Sequence, residues 1–254
     1  MSVFQRHVLA CALVLSGGLL ALPVQAATIS VSVLDADAYN GGFGSGTNVV
    51  EDFETLGAAG GEREVASGFA TAVGTFSTLG GTGSGGTIQN ASFTNTGTQL
   101  ALRDGNVFGR TNVTPTGGSW FLDSNDTWGM IWDVALGGGT AFTQVMFALT
   151  DASDTGAFLR IIADGASVEL RTATDNRLPD GNNKLVIIDF GMAVTSAQIL
   201  LANFTAAGGD TRMTNDGFSI DGLQVAAVPL PAAGFLLLGG LGGLVVLRRR
   251  KRAA

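Results

Sequence analysis

Between residues 27 and 227 the chain never sustains a helical pattern: its apolar and β-branched segments run for four to nine residues, and turn residues such as Gly, Asn, Asp and Ser separate most of them. Punctuation that dense leaves no room for the 10- to 14-residue amphipathic helices of ordinary α-rich domains, whereas strands need only about five residues. Glycine supplies much of it, with 38 of 254 residues, about twice the usual share of roughly 7%. Nine strand-like segments stand out: Thr28–Val33, Asn48–Phe53, Thr98–Arg103, Ser119–Leu122, Trp128–Val134, Ala141–Leu149, Lys184–Phe190, Ala197–Phe204 and Phe218–Val225. Many short strands with turn residues between them, in about 200 residues, predict an all-β fold, an antiparallel two-sheet sandwich of jelly-roll type.

Local chemistry fixes one hairpin. Asp164-Gly165 suits a two-residue type I′ turn, because both positions tolerate positive φ. Folding back about that turn sets Ile161 opposite Val168, Leu159 opposite Leu170, and Arg160 opposite Glu169 on the other face. In Trp128–Val134, Trp128, Met130, Trp132 and Val134 share a face with Asp133 opposite, and Leu185–Ile188 is apolar throughout, as a central strand would be. The core is therefore expected mainly in the second half. Gly41 to Gly97, rich in Gly, Thr and Ser, is expected to form long loops. Within it Gly81–Gly86 fits GxGxxG, but no helical pattern follows, so the run reads as a loop and not as a nucleotide cradle.

Both ends carry a different signature. Arg6 and His7 precede an apolar segment from Val8 to Leu22, and Val24 and Ala26 occupy the small-residue positions of a signal-peptidase site, so residues 1–26 read as a signal helix cleaved between Ala26 and Ala27. At the other end Val228-Pro229-Leu230-Pro231-Ala232 leads into an uncharged run over 232–247, followed by Arg248-Arg249-Arg250-Lys251-Arg252. Sixteen uncharged residues span roughly 24 Å as a helix, near a bilayer's hydrocarbon thickness, and the basic cluster favours the cytoplasmic face. Residues 228–254 thus predict one transmembrane helix with the domain of residues 27–227 outside.

This tail, with proline motif, glycine-rich apolar run and terminal cations in that order, closely resembles the VPLPA variant of the PEP-CTERM sorting signals. The resemblance is confined to the tail, and Leu230 stands where the commoner Pro-Glu-Pro form has an acidic residue. It implies handling by the Sec machinery and signal peptidase, then by an exosortase-type membrane protease, in a cell that makes exopolysaccharide. It implies a destination at the cell surface or in the extracellular matrix, and it leaves the cleaved bond open.

Removing both ends narrows the chemistry. The single histidine is His7 and the single cysteine is Cys11, so residues 27–227 contain neither, which excludes Ser-His-Asp and Cys-His catalysis, thiolate or imidazole zinc sites, and disulfides within the domain. All 21 carboxylates lie in that domain, with eight cations, for a net charge of −13. Such a domain repels nucleic acid and anionic membrane surfaces and attracts cations.

Three acidic groupings offer hard oxygen ligands for calcium: Asp123-Ser124-Asn125-Asp126, Asp151-Ala152-Ser153-Asp154, and Asp216 with Asp221. Asp123, Asn125 and Asp126 are the leading set, since Trp120 lies close by and an aromatic beside carboxylates and amides is a sugar-binding arrangement. None has the spacing of an EF-hand loop, and each also reads as an ordinary turn. A glycosidase would need two carboxylates, and the glutamates available are Glu51, Glu54, Glu62, Glu64 and Glu169, of which Glu169 is already matched with Arg160. The chain is accordingly read as a non-catalytic surface or matrix protein with a structural or adhesive role. The alternative is a carbohydrate-binding module, calcium-assisted in one form. No cofactor is expected unless calcium binds.

Overall fold

The structure is a computed structural model that describes residues 28–35, 47–81, 93, 95–114, 117–125, 127–154, 156–171, 177–205, 211–212 and 216–228. The signal segment with Ala26 and Ala27, the residues from Pro229 onward with the basic cluster Arg248–Arg252, and Asp126 lie outside the described residues. Among the described residues no helix is long and apolar enough to cross a membrane.

In chain order the elements are β1 (Ser30–Asp35), β2 (Thr47–Glu51), α1 (Glu54–Gly60), β3 (Arg63–Val65), β4 (Phe69–Thr71), β5 (Gly74–Thr78), β6 (Leu100–Asp104), β7 (Asn106–Val107), β8 (Arg110–Thr111), β9 (Trp120–Asp123), β10 (Gly129–Ala135), β11 (Phe142–Thr150), β12 (Phe158–Ala163), β13 (Ala166–Glu169), β14 (Asn183–Val194), β15 (Ser196–Phe204) and β16 (Ser219–Ala227). One sheet runs β1-β14-β11-β16-β9-β6-β3, with β2 also paired to β16; the second runs β13-β12-β15-β10-β5-β4; β7 and β8 form a small separate hairpin. The described strand pairs are antiparallel, and among the described residues the fold is all-β apart from α1 and a 3-10 turn at Gly137–Gly139.

The two sheets close over a shared aromatic core. Trp132 of β10 stacks on Phe76 of β5 at 5.3 Å and meets Phe147 of the opposite sheet edge-on at 5.9 Å. Its indole N–H donates to the Val73 carbonyl at 3.0 Å, so the largest buried side chain leaves no polar atom unmatched. The alternation expected of β10 is present: Met130, Trp132 and Val134 are buried while Asp133 is exposed. The hairpin expected about Asp164-Gly165 also forms in the expected register, with Ile161 opposite Val168 and Arg160 opposite Glu169. Both turn residues have positive φ, 45° and 97°.

The glycine-rich first half departs from expectation. Where long loops were expected over 41–97, residues 47–78 build β2, α1, β3, β4 and β5, and Phe53, Val65, Val73 and Phe76 join the main core. The pattern was masked because α1 is a poor helix by its own sequence, Glu-Thr-Leu-Gly-Ala-Ala-Gly, and tertiary contact holds it. Trp120 lies so close over Gly57 that a Cβ there would fall inside the indole ring.

Carboxylates complete the structure of this half by capping backbone N–H groups. Glu51 accepts from the N–H of Phe53 at 2.9 Å and of Ala72 at 3.1 Å. Glu54 accepts from Ser119 and Trp120 at 2.8 and 2.9 Å, and Glu64 from Thr96 and Gly97 at 2.7 and 3.1 Å. Glu62 accepts from the fully buried Arg103 at 2.9 Å.

β16 changes neighbours at Asp221-Gly222. Before that point it pairs β9 through Ser219 and Ile220, and after it β2 through Leu223 to Ala227. Gly222 takes φ 58° and the register against β11 shifts between Met146 and Ala148, which marks a bulge. Residues 112–114 lie against the bulge, and Asp221 Oδ2 accepts from Asn112 Nδ2 at 3.0 Å and from the backbone N–H groups of Val113 and Thr114 at 2.7 and 2.9 Å.

Candidate functional site

β11 has its first residue beside Ala227, the last residue of β16, and its last, Thr150, beside Asn183 and Ser219. Nine residues at about 3.4 Å each place these ends roughly 27 Å apart. The far end carries a cluster of three carboxylates.

Immediately after β11, Asp151 and Ser153 both take left-handed backbone, φ 59° and 61°, which turns the chain sharply and leaves Asp154 partly exposed. The segment before β14 closes against this turn. The N–H of Asp151 donates to the Asn182 carbonyl at 2.7 Å, the Asn182 side chain donates to the Ala152 carbonyl at 2.8 Å, and the N–H of Gly181 donates to Asp151 Oδ1 at 2.7 Å. These clasps bring Asp180 to Asp151 and Asp154, with one oxygen of each of the three carboxylates within 4.8 Å of the others.

The β7–β8 hairpin covers the group from the side. Its tip residue Gly109 has φ 90°, and a Cβ there would lie 2.8 Å from Asp180 Oδ1 and 2.9 Å from Asp151 Oδ1, so backbone conformation and space both demand glycine. Phe108 at the same tip is 55% exposed. Arg110, buried below it, pairs with the buried Asp123 at 3.2 Å.

The cluster's electrostatics follow from this burial. Burial pushes the Asp151 carboxyl up to about 7, the Gly181 N–H pulls it back, the Asp154 charge adds to the rise, Arg110 opposes it, and Asp180 adds a further push. Asp221, deep in the sheet, is likewise pushed up to about 7 by burial against the pull of its N–H donors. A divalent cation would relieve the repulsion among the three aspartates. Converging carboxylates with no nitrogen or sulfur donors suit a hard, partly hydrated ion such as Ca²⁺.

The structure redistributes the residues singled out in the sequence. Asp123 is fully buried, ion-paired to Arg110, and accepts the Asn125 N–H at 2.8 Å. Asn125 exchanges two 2.8 Å amide hydrogen bonds with Asn95 and donates to the Gln99 carbonyl, so neither Asp123 nor Asn125, the described residues of the leading calcium set, faces an open site. Burial explains the correction: their oxygens are consumed in closing the turn after β9. Trp120 is half-buried against α1 and the main core and offers no exposed sugar platform. Trp128 is half-buried as well, 6.0 Å from the Arg212 guanidinium. Asp221 is spent on residues 112–114. Among the described residues of the three acidic groupings, only Asp154 keeps a partly exposed carboxyl group, and the turn at Asp151–Asp154 gains Asp180 from a segment that sequence reading passed over. The Pro179-Asp180-Gly181 turn signature directly before an apolar strand was the available signal. Phe108 and Gly109 left no comparable trace.

Fold and site together define an all-β sandwich that presents an acidic turn cluster and an exposed phenylalanine at one end, with the last residues of β16 at the other. No known protein-family model matches the chain, and no curated protein matches it. Among solved structures it is similar to the K1 cleaved adhesin domain of Lys-gingipain from Porphyromonas gingivalis W83, at 13% identity over 72% of this chain and 100% of that one, with a TM-score of 0.27. A likeness that slight bears on neither fold detail nor function.

Proposed function

We propose that this chain is an exported, non-catalytic surface or matrix protein, anchored through its tail and processed by an exosortase-type protease. The observation that carries the reading is the ordered tail, Val228–Ala232, then the apolar run over 232–247, then Arg248–Arg252. In this reading the sandwich is of jelly-roll type, the chain passing repeatedly between its two sheets. The engagement of Glu51, Glu54, Glu62, Glu64 and Glu169 supports a non-catalytic role, because each glutamate weighed for a two-carboxylate mechanism already serves a backbone cap or an ion pair. The domain's role is then structural or adhesive, among the polysaccharides of the cell exterior.

The test is fractionation of the native host with the intact chain and a Pro229→Ala/Pro231→Ala variant. The intact chain is expected in the matrix fraction and the variant in the membrane fraction. Identical distribution of the two would remove the sorting reading.

One observation favours calcium-assisted carbohydrate binding as a second reading: Phe108 is exposed in the hairpin tip whose next residue, Gly109, lies against Asp151 and Asp180. In that arrangement the ion would hold sugar hydroxyls and the phenyl ring would cover an apolar sugar face. Calorimetry with host exopolysaccharide, with and without Ca²⁺, tests it; binding that ignores Ca²⁺ and survives Phe108→Ala would reject this site.

A further inference from the structure

Three strands of the six-stranded sheet are apolar on both faces. Inward, Met130 and Trp132 of β10, Ile161 of β12, and Ile199 and Leu201 of β15 fill the main core. Between them Ile131, Ile162 and Leu200 take the outer face and stay partly exposed. Strand pairing lines these three up as one row across the sheet, in the order Ser77, Ile131, Leu200, Ile162, Ser167. An antiparallel sheet with one wet face alternates apolar and polar residues, and strands apolar throughout are the mark of a sheet covered on both sides.

Charge divides about that row. Among the described residues, one side holds Arg160, Arg171 and Arg212 with a single carboxylate, Glu169, which pairs with Arg160. The Arg160 and Arg171 guanidinium groups lie over the Phe204 and Phe158 rings at 4.3 and 4.7 Å, and Arg212 bridges to Phe204. The other side holds Asp133 and Asp164, both bonded to Gln198, and no described cation. A domain of net charge −13 thus gathers three of its eight cations at one end of one face.

The division is self-complementary. Turning a second copy by 180° about an axis along the row brings the two outer faces together, sets Leu200 on Leu200, and exchanges the two charged sides. Residues two places either side of the row then meet: Arg160 opposite the partner's Asp164, and Asp133 opposite the partner's Gly129. Gly129 adjoins Trp128, whose ring lies 6.0 Å from the Arg212 guanidinium, so Asp133 also meets that charge. An axis along the strands would instead set arginine against arginine and aspartate against aspartate, so charge selects the first orientation. The nine residues of β15 span roughly 27 Å and the five strands from β13 to β5 about 24 Å, giving at most about 650 Å² per copy and about 1,300 Å² in all, the lower end for a stable dimer.

We propose that the outer face of the six-stranded sheet is an interface with a second copy of this chain, forming a two-fold dimer of micromolar strength. The aliphatic row supplies its dry centre, and the arginine and aspartate ends fix its orientation. The interface does not depend on how the tail is handled.

The experiment is analytical ultracentrifugation of the protein purified from its native host, wild type beside L200E, D133R, R212D and the D133R/R212D pair. Wild type is expected to dimerise. L200E sets two carboxylates against each other at the axis and should weaken association at least about 10-fold. Each single reversal should weaken it by about 10-fold, by bringing like charges together. The double reversal should return it to within about 3-fold of wild type, which a variant damaged in folding would not do. A wild-type protein that stays monomeric well above micromolar concentration overturns the interface. So does a dimer untouched by L200E, which another surface must then hold, or a double reversal no better than the singles. A monomer that binds host exopolysaccharide and loses that binding in L200E assigns the row to a glycan and overturns the proposal as well.

Discussion

Asp221→Ala tests the account of how the middle of the larger sheet is held. The substitution removes one oxygen that accepts from Asn112 Nδ2, Val113 N and Thr114 N, and a second that accepts from Gly222 N. Leaving a buried donor without a partner costs about 1–3 kcal/mol. Residues 112–114 are half-buried, so water recovers part of that, and we expect a loss of about 4 kcal/mol at pH 5. The pH dependence is the sharper test. With the native carboxyl raised to about 7 and an unfolded value of about 4, the folded state holds a proton that the unfolded state has released anywhere between those values. Asp221's contribution is therefore fully present below about pH 4 and is lost as pH rises through 7. A shift of that size corresponds to at most about 4 kcal/mol, and the N–H donors that favour the ionised form reduce it. The gap in urea-unfolding free energy between wild type and variant should accordingly narrow by about 1–3 kcal/mol from pH 5 to pH 8. Asp151 titrates identically in both proteins and cancels. A gap that widens with pH would show that the clasp is an ionised one with a lowered pKa, and a loss under about 1 kcal/mol at pH 5 would show that residues 112–114 do not depend on Asp221.

The acidic end makes separate predictions. If Ca²⁺ binds at Asp151, Asp154 and Asp180, a concentration 100 times its Kd stabilises the domain by about 2.7 kcal/mol, a Tm rise of roughly 5–10 °C. Because the ion must displace the Asp151 proton, the rise should be larger at pH 8 than at pH 5.5, and Asp180→Asn should abolish it; no rise at either pH means no site. Gly109→Ala should cost about 2–3 kcal/mol by chemical denaturation, from φ 90° and the carboxylate oxygens 2.8 and 2.9 Å from the new Cβ, and an unaffected midpoint would contradict the packing described. In the β12–β13 hairpin, a double-mutant cycle on Arg160 and Glu169 should give a coupling of about 0.5–1 kcal/mol that shrinks in high salt. Trp132→Phe should cost about 1–2 kcal/mol through the lost bond to Val73, and Trp132→Ala about 3–5 kcal/mol.

What could be read from sequence was what neighbouring residues determine together. Asp164-Gly165 fixes a turn, the turn fixes a register, and Arg160 lands opposite Glu169 without help from the rest of the chain. β10 was legible because Met130, Trp132 and Val134 alternate with a charge. By contrast α1 exists because Trp120 closes over Gly57 and Glu54 caps a segment more than 60 residues away, and nothing within residues 54–60 reports either contact. The candidate site failed for the same reason. Asp151 and Asp154 were visible as a turn, but Asp180 joins them only through the pairing of β11 with β14, and Asp123 and Asn125 looked equally suitable until burial committed their oxygens to Arg110 and Asn95. Side chains that cap distant backbone carry no periodicity, so an acidic loop-like stretch gives no sign of which carboxylates are already in use.

The central claim is that the tail is a processed sorting signal on a folded exterior domain. Intact mass of the protein from its native host, beside a strain lacking the sorting protease, tests it most directly. The account predicts a chain that begins at Ala27 and lacks the basic residues Arg248–Arg252 in the first strain, and one that begins at Ala27 and keeps them in the second. The same full-length tail in both strains, or a chain still beginning at Met1, would contradict it.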